Sequence, residues 1–369
     1  MREETGSGSG PRAGAEADSY HVRVRHAAVA LGFIVAVGWP ASSPVPTQVC
    51  VIDDPRAREL SGLVAVSSGY VAITDSQPDP TKIRIVYLDA RCRVIRTAGF
   101  PTSPRDPEDL AVAPDGAVWV ADIGDNDTSS TRRQTIALWR VPPTGAPVIH
   151  RLAYPDGPHD AEALLFGADG IPIVVTKDPD GRARLYRPTG PLRATTADGV
   201  PMARVGEFIA RATGENNFLG GLGEVVVTGA AVSPDRRRVV LRTYTAAYEW
   251  DVADGDVVKA ITKSIPRVTA LPDEPQGEAI AYTPDGTAFL TMSDQPGATT
   301  LHSHTPSTIL LVTAPPSSPP AANPAPPQPT GIPLWVSLAL GLAGLGLAAA
   351  GYFGLRQARA RQTRSADSA

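Results

Sequence analysis

The feature that most constrains this chain is a short pattern that occurs five times. It reads Glu108-Asp-Leu-Ala-Val-Ala-Pro-Asp115-Gly116-Ala-Val-Trp119-Val120, then Glu162-Ala-Leu-Leu-Phe-Gly-Ala-Asp169-Gly170, then Glu278-Ala-Ile-Ala-Tyr-Thr-Pro-Asp285-Gly286. Weaker copies are Ser61-Gly-Leu-Val-Ala-Val-Ser-Ser68-Gly69 and Thr228-Gly-Ala-Ala-Val-Ser-Pro-Asp235. The turn positions Ser68, Asp115, Asp169, Asp235 and Asp285 lie 47, 54, 66 and 50 residues apart. A unit of that size is one supersecondary element used repeatedly.

Each copy is an apolar strand, a Pro-Asp-Gly type turn and a second strand. Pro presets φ, Asp bonds back to the backbone and Gly accepts positive φ. The second strands, Tyr70–Ile73, Val118–Ala121, Ile173–Val175, Val239–Leu241 and Ala288–Leu290, are rich in β-branched and aromatic residues. Further strand candidates follow in the first two units: Ile83–Leu88, Val94–Thr97, Ile136–Val141 and Val148–Leu152. No interior stretch keeps a 3.6-residue apolar period. Four short strands per unit without helices predict an all-β fold, a β-propeller over residues 49–313. Five blades are preferred, with Val49–Ile52 closing the ring against the last one. A sixth blade is the alternative, in the 66-residue interval that contains the loop-like Glu215-Asn-Asn-Phe-Leu-Gly-Gly-Leu-Gly223.

The ends speak of location. Residues 1–43 read as a polar leader and a signal peptide, with Arg23, Arg25 and His26 ahead of the apolar run Ala27–Gly38. That run is short for a membrane span. Residues 314–330 are a proline-rich, semi-rigid linker. Residues 332–355 carry no charge and are long enough to cross a bilayer. The tail 356–369, with Arg356, Arg359, Arg361 and Arg364, belongs in the cytoplasm by the positive-inside rule. The expectation is a single-pass membrane protein with its propeller outside, so the net charge of −4 hides a cationic tail and a more acidic propeller. In an oxidising compartment the two cysteines, Cys50 and Cys92, suggest a disulfide between the closing strand and the first blade; two buried thiols are the alternative.

Chemistry points to one mouth of the channel. The first strands start at Ser61, Glu108, Glu162, Thr228 and Glu278, and the antiparallel second strands end at Asp75, Asp122, Lys177, Thr243 and Asp294. Both sets emerge on one face. Three converging glutamates raise one another's pKa unless a cation or the nearby Lys177 and Arg242 relieves them. The expected ligand-binding set is therefore Glu108, Glu162, Glu278, Asp75, Lys177 and Arg242. The architectural alternative is that these glutamates bond backbone N–H groups of neighbouring blades. A second candidate is the Gly-containing loop with Asp122, Asp125, Asn126 and Asp127, whose oxygens suit Ca²⁺ but lack the EF-hand spacing. His159-Asp160 is expected at the same mouth. His302 and His304 alternate on one strand face without zinc-like partners. Arg236-Arg-Arg238 reads as a solvated turn tip. There is no nucleophile elbow, P-loop or dinucleotide fingerprint. No basic, aromatic-laced surface argues for nucleic acid.

The segments Glu108-Asp-Leu-Ala-Val, Ala121-Asp-Ile-Gly-Asp-Asn126, His159-Asp-Ala-Glu-Ala163, Leu241-Arg-Thr-Tyr-Thr245 with Tyr248-Glu-Trp250, and Gln276-Gly-Glu-Ala-Ile280 carry a resemblance. Together they resemble exported actinobacterial WD40-like propeller-repeat proteins, over most of residues 55–300. More distantly, the strand starts resemble phytase-like and gluconolactonase-like propellers. The second resemblance implies a calcium-dependent hydrolase of phosphoesters or lactones, with Glu108, Glu162, Glu278 and Asp122 as ligands or bases. The first implies no reaction. It leaves an extracellular binding or scaffold module for an unknown ligand or protein, and fold alone does not choose between the two.

Overall fold

A computed structural model describes residues 46–304, apart from 127–130, 195–196, 216, 218, 272–273 and 296. The expected signal peptide, linker, membrane span and tail lie outside the described residues, as does Asp127. Among the described residues, no helix is long and apolar enough to cross a membrane.

The chain is nearly all β. After β1 (Thr47–Ile52) come β2 (Leu60–Val66), β3 (Gly69–Thr74), β4 (Ile85–Asp89) and β5 (Val94–Ala98), an antiparallel meander in one sheet. Next are β6 (Pro107–Val112), β7 (Val118–Asp122), β8 (Ile136–Val141) and β9 (Val148–Ala153). Then follow β10 (Ala161–Phe166), β11 (Pro172–Thr176), β12 (Arg182–Pro188) and β13 (Val200–Ile209). These two meanders merge into one eight-stranded sheet, because β13 runs parallel to β9 with Val200 opposite Leu152. A further sheet holds β14 (Gly229–Val232), β15 (Arg238–Arg242), β16 (Ala246–Asp251) and β17 (Arg267–Ala270). The last holds β18 (Gly277–Tyr282), β19 (Phe289–Ser293) and β20 (Thr299–His304), completed by β1 at its outer edge.

The first strands form a ring: β2 lies beside β6, β6 beside β10, β10 beside β14, β14 beside β18, and β18 beside β2. The fold is a β-propeller. The long interval between Asp169 and Asp235 holds only β11 to β14 among the described residues; the extended β13 and the loop after it account for its length.

Apolar clusters fill the gaps between neighbouring sheets and, in the eight-stranded sheet, between its two halves. Leu60, Leu63 and Leu88 meet Ala279, Leu290 and Met292, for example, and Val64 and Ile73 meet Leu110 and Trp139. The turns behave as their residues dictate. Asp115, Asp169, Asp235 and Asp285 each accept a hydrogen bond from the backbone N–H two residues on, at 3.0–3.1 Å. Cys50 of β1 and Cys92, between β4 and β5, form a disulfide that pins the closing strand to the first sheet.

One expectation fails. A short helix, α1 (Val257–Lys263), follows β16 and packs on β13. Asp256 caps it by accepting from the Lys259 N–H at 2.9 Å, and Val257, Ala260 and Ile261 form its buried face. Seven residues give too few turns for a period to stand out in the sequence.

Candidate functional site: an acidic channel mouth

The ring of inner strands brings Glu108, Glu162 and Glu278 together at one end of the channel. One carboxylate oxygen from each lies within 4.8 Å of the others, and all three side chains are buried. Their placement has a local cause. In β2, β6, β10 and β18 the register with the second strand slips at one residue, and that residue is Ser61, Glu108, Glu162 or Glu278. A bulge of this kind leaves a residue unpaired and re-aims its side chain. The β14–β15 pair has no slip; Thr228 precedes it and donates to the Gly277 carbonyl at 3.0 Å.

Two further carboxylate groups join this one. Asp75 and Asp294, just past the ends of β3 and β19, converge on Glu278, and Asp75 and Asp106 converge on Glu108. Ser61 Oγ donates to the Glu108 carbonyl at 2.7 Å and lies 3.3 Å from Glu108 Oε2 and 3.5 Å from Glu278 Oε2. Lys177 supplies a cation, its Nζ 2.8 Å from Glu162 Oε1. Tyr244 completes that side: its hydroxyl lies 3.4 Å from Glu278 Oε1, and Lys177 sits over its ring. Glu162 Oε2 and Asp294 Oδ1 are buried with no hydrogen-bond partner among the described residues.

The electrostatics follow from crowding like charges in a closed space. Burial, reinforced by the Glu162 charge, pushes the Glu108 carboxyl well above the usual range. Burial also raises Glu162, against the opposing pull of Lys177. Burial and the neighbouring aspartates push Glu278 up to about 8 despite Lys177. Asp75 is pushed to about 8 by burial, Asp294 and Asp106. Asp294 rises to about 6 by burial and Glu59. Burial works against the Lys177 ammonium, but Glu162, Tyr244 and Glu278 outweigh it and hold the charge. One lysine balances one carboxylate, so without a cation Glu278 and Asp75, both near 8, keep their protons at neutral pH.

Several expected residues sit elsewhere. Arg242 is fully buried beside the mouth, not in it; it pairs with Glu274 at 3.1 Å and donates to the Ala279 carbonyl at 2.9 Å. The loop expected to hold calcium is occupied by arginines. Arg133 grips Asp122 at 3.0 Å, while Arg105 and Arg132 reach Asp125 at 3.1 and 2.8 Å. Asn126 is exposed, and Asp127 is outside the described residues. The loop instead walls the mouth. A Cβ on Gly124 would collide with Glu108 Oε1 and come 2.6 Å from Asp106 Oδ2, so a side chain there would displace those carboxylates.

The backbone-bonding role considered for the glutamates belongs to Asp109, which accepts from the Leu110 and Leu164 N–H groups at 2.7 and 2.8 Å. His159 bonds Asp178 and Asp156 at 3.1 Å each and stacks with Tyr186. His302 pairs with Glu274, and His304, bonded to Thr291 at 2.6 Å, is pulled down to about 4 by burial. Sequence reasoning missed Asp106 and Tyr244. Asp106 stands just ahead of β6, two residues before Glu108, and that closeness in sequence was the available signal. Tyr244 has no comparable signal.

The other end of the channel is lined mostly by apolar side chains. Leu63, Leu110, Leu164, Phe166, Val232 and Ala281, from all five inner strands, help to line a cavity of about 310 Å³.

No family model and no curated protein matches this chain. Among solved structures it is similar to a gluconolactonase from Xanthomonas campestris, at 15% identity and TM-score 0.37, over 66% of this chain and 72% of that one. It is also similar to the glutaminyl cyclase of Myxococcus xanthus, at 12% identity and TM-score 0.40, over 71% of this chain and 97% of that one. A streptogramin B lyase matches at 12% identity and TM-score 0.33, over 66% of this chain, which spans 65% of the lyase.

Proposed function

We propose that this protein is a membrane-anchored extracellular binding module, a five-bladed propeller whose acidic channel mouth takes a divalent cation and, through it, a ligand. The observation that carries this reading is the trio Glu108, Glu162 and Glu278, buried with oxygens within 4.8 Å of one another while Glu162 Oε2 has no hydrogen-bond partner among the described residues. The donors are all carboxylate oxygens, which suits a hard ion such as Ca²⁺ rather than a metal that prefers histidine or cysteine. Glu108, Glu162 and Glu278 would hold the ion, with Asp75, Asp106 and Asp294 around them. A bound cation would supply positive charge that keeps these groups ionised and draws in an anionic or oxygen-rich ligand. The five-blade count counts the eight-stranded sheet as two blades joined along β9 and β13. The anchor is the uncharged segment 332–355, held off the propeller by the proline linker.

The test is a thermal melt of the full-length protein with calcium and with chelator. Calcium at 100 times its Kd should add about 2.7 kcal/mol. Glu162→Gln should abolish most of that gain. No calcium-dependent shift would sink the cation reading.

A second reading, a cation-dependent hydrolase of lactones or phosphoesters, is favoured by one observation. Glu278 and Asp75 are both pushed to about 8, which suits proton transfer near neutrality, and the Tyr244 hydroxyl adjoins Glu278. Turnover of simple lactones or phosphomonoesters that is lost in Glu278→Gln would favour it over the binding module.

A further inference from the structure

The apolar end of the channel holds an arginine that breaks the local rule of the fold. Three of the turns after the inner strands place glycine in the left-handed region: Gly116 at φ 80°, Gly170 at 74° and Gly286 at 71°. The equivalent position in the turn after β14 is Arg236, at φ 58°. A side chain is disfavoured there, and glycine is the residue that fits. The Arg236 side chain is only partly exposed. It lines the apolar cavity and crosses to β6, where Nη2 donates to the Val112 carbonyl at 3.0 Å. Its Nη1 is buried with no hydrogen-bond partner among the described residues. Burial pulls the guanidinium below its usual range, against the attraction of Asp115, which is itself paired with Arg140. A buried cationic N–H without an acceptor, at the rim of an apolar cavity, is half of a binding site.

We propose that this cavity binds a small monocarboxylate with an apolar body, its carboxylate on Arg236 and its hydrocarbon part among the leucines and Phe166 of the inner strands. The cavity volume of about 310 Å³ suits a short aliphatic chain or single ring. The site lies at the opposite end of the inner strands from the glutamates and does not depend on the cation reading.

The test is calorimetric titration of the full-length protein with sodium hexanoate and octanoate, with hexanol and octanol as neutral controls. Wild type should bind a carboxylate at least tenfold more tightly than the matching alcohol. Arg236→Gly should melt no lower than wild type, because glycine suits the turn, yet lose at least tenfold in carboxylate affinity. Arg236→Lys, which keeps a charge, should fall between them. Absence of carboxylate binding to wild type would overturn the proposal, as would equal affinity for acid and alcohol, or unchanged affinity in the glycine variant. If the glycine variant fails to fold, the acid-to-alcohol ratio in wild type decides alone.

Discussion

The two ends of the channel are built from the same five strands and share almost no chemistry. At their starts, bulges turn Ser61, Glu108, Glu162 and Glu278 toward a common space, and Lys177 is the cation that answers them. At their ends, regular pairing carries apolar residues into the cavity, and Arg236 is the lone charged residue lining it among the described residues. A ring of repeated strands thus separates two environments along one axis. Where pairing slips, polar groups gather; where it holds, the alternation of a strand fills the space with carbon.

The comparison can be broken from either side. The largest effect belongs to Phe166→Ala, which empties part of the apolar end and removes the contact with Trp119. It should cost about 3–5 kcal/mol in denaturant unfolding. Calcium affinity should not change; a parallel loss would mean the ends are not independent.

Next comes pH. Glu278 sits about 8 in the folded protein against an ordinary 4.5, so the folded state holds the extra proton. That contribution is fully present below about 4.5 and is lost as pH rises through about 8. Without a cation the melting temperature should therefore fall over this range, with Asp75 adding to the slope. Saturating calcium, which favours the ionised forms, should flatten or reverse it. A chelator-insensitive profile would remove the electrostatic account of the mouth.

A smaller effect is expected at Gly124. Its replacement by alanine pushes on Glu108 and Asp106 and should cost about 1–3 kcal/mol while weakening calcium binding. Loss of stability with normal calcium affinity would make the glycine a purely structural need.

Much of this was legible in the residues. The repeat announced the inner strands, and a fixed offset of seven residues before each turn marked the glutamates. What stayed hidden was whatever depends on two strands at once. A bulge belongs to a pairing, not to a sequence, so the slips at Glu108 and Glu278 left no trace. Lys177 and Arg242 stand at similar strand ends, yet one meets Glu162 and the other is claimed by Glu274, 32 residues further on. Acidic spacing in Asp122-Ile-Gly-Asp125 resembles a metal loop until Arg105, Arg132 and Arg133 are seen around it. Three adjacent arginines at a turn ordinarily make a solvated tip, and Arg236 departs from that. Its position, in a slot other copies reserve for glycine, was the available signal.

The strand β1 has a consequence in time. Its partner in the last sheet, β20, is the end of the described chain, so β1 must wait through the synthesis of every other strand before it can pair. Cys92 follows Cys50 by only 42 residues. Once oxidised, that link tethers the early strand to the first finished sheet. It keeps a loose sticky edge near the seam where the ring must shut, and it shortens the search when the final hairpin arrives.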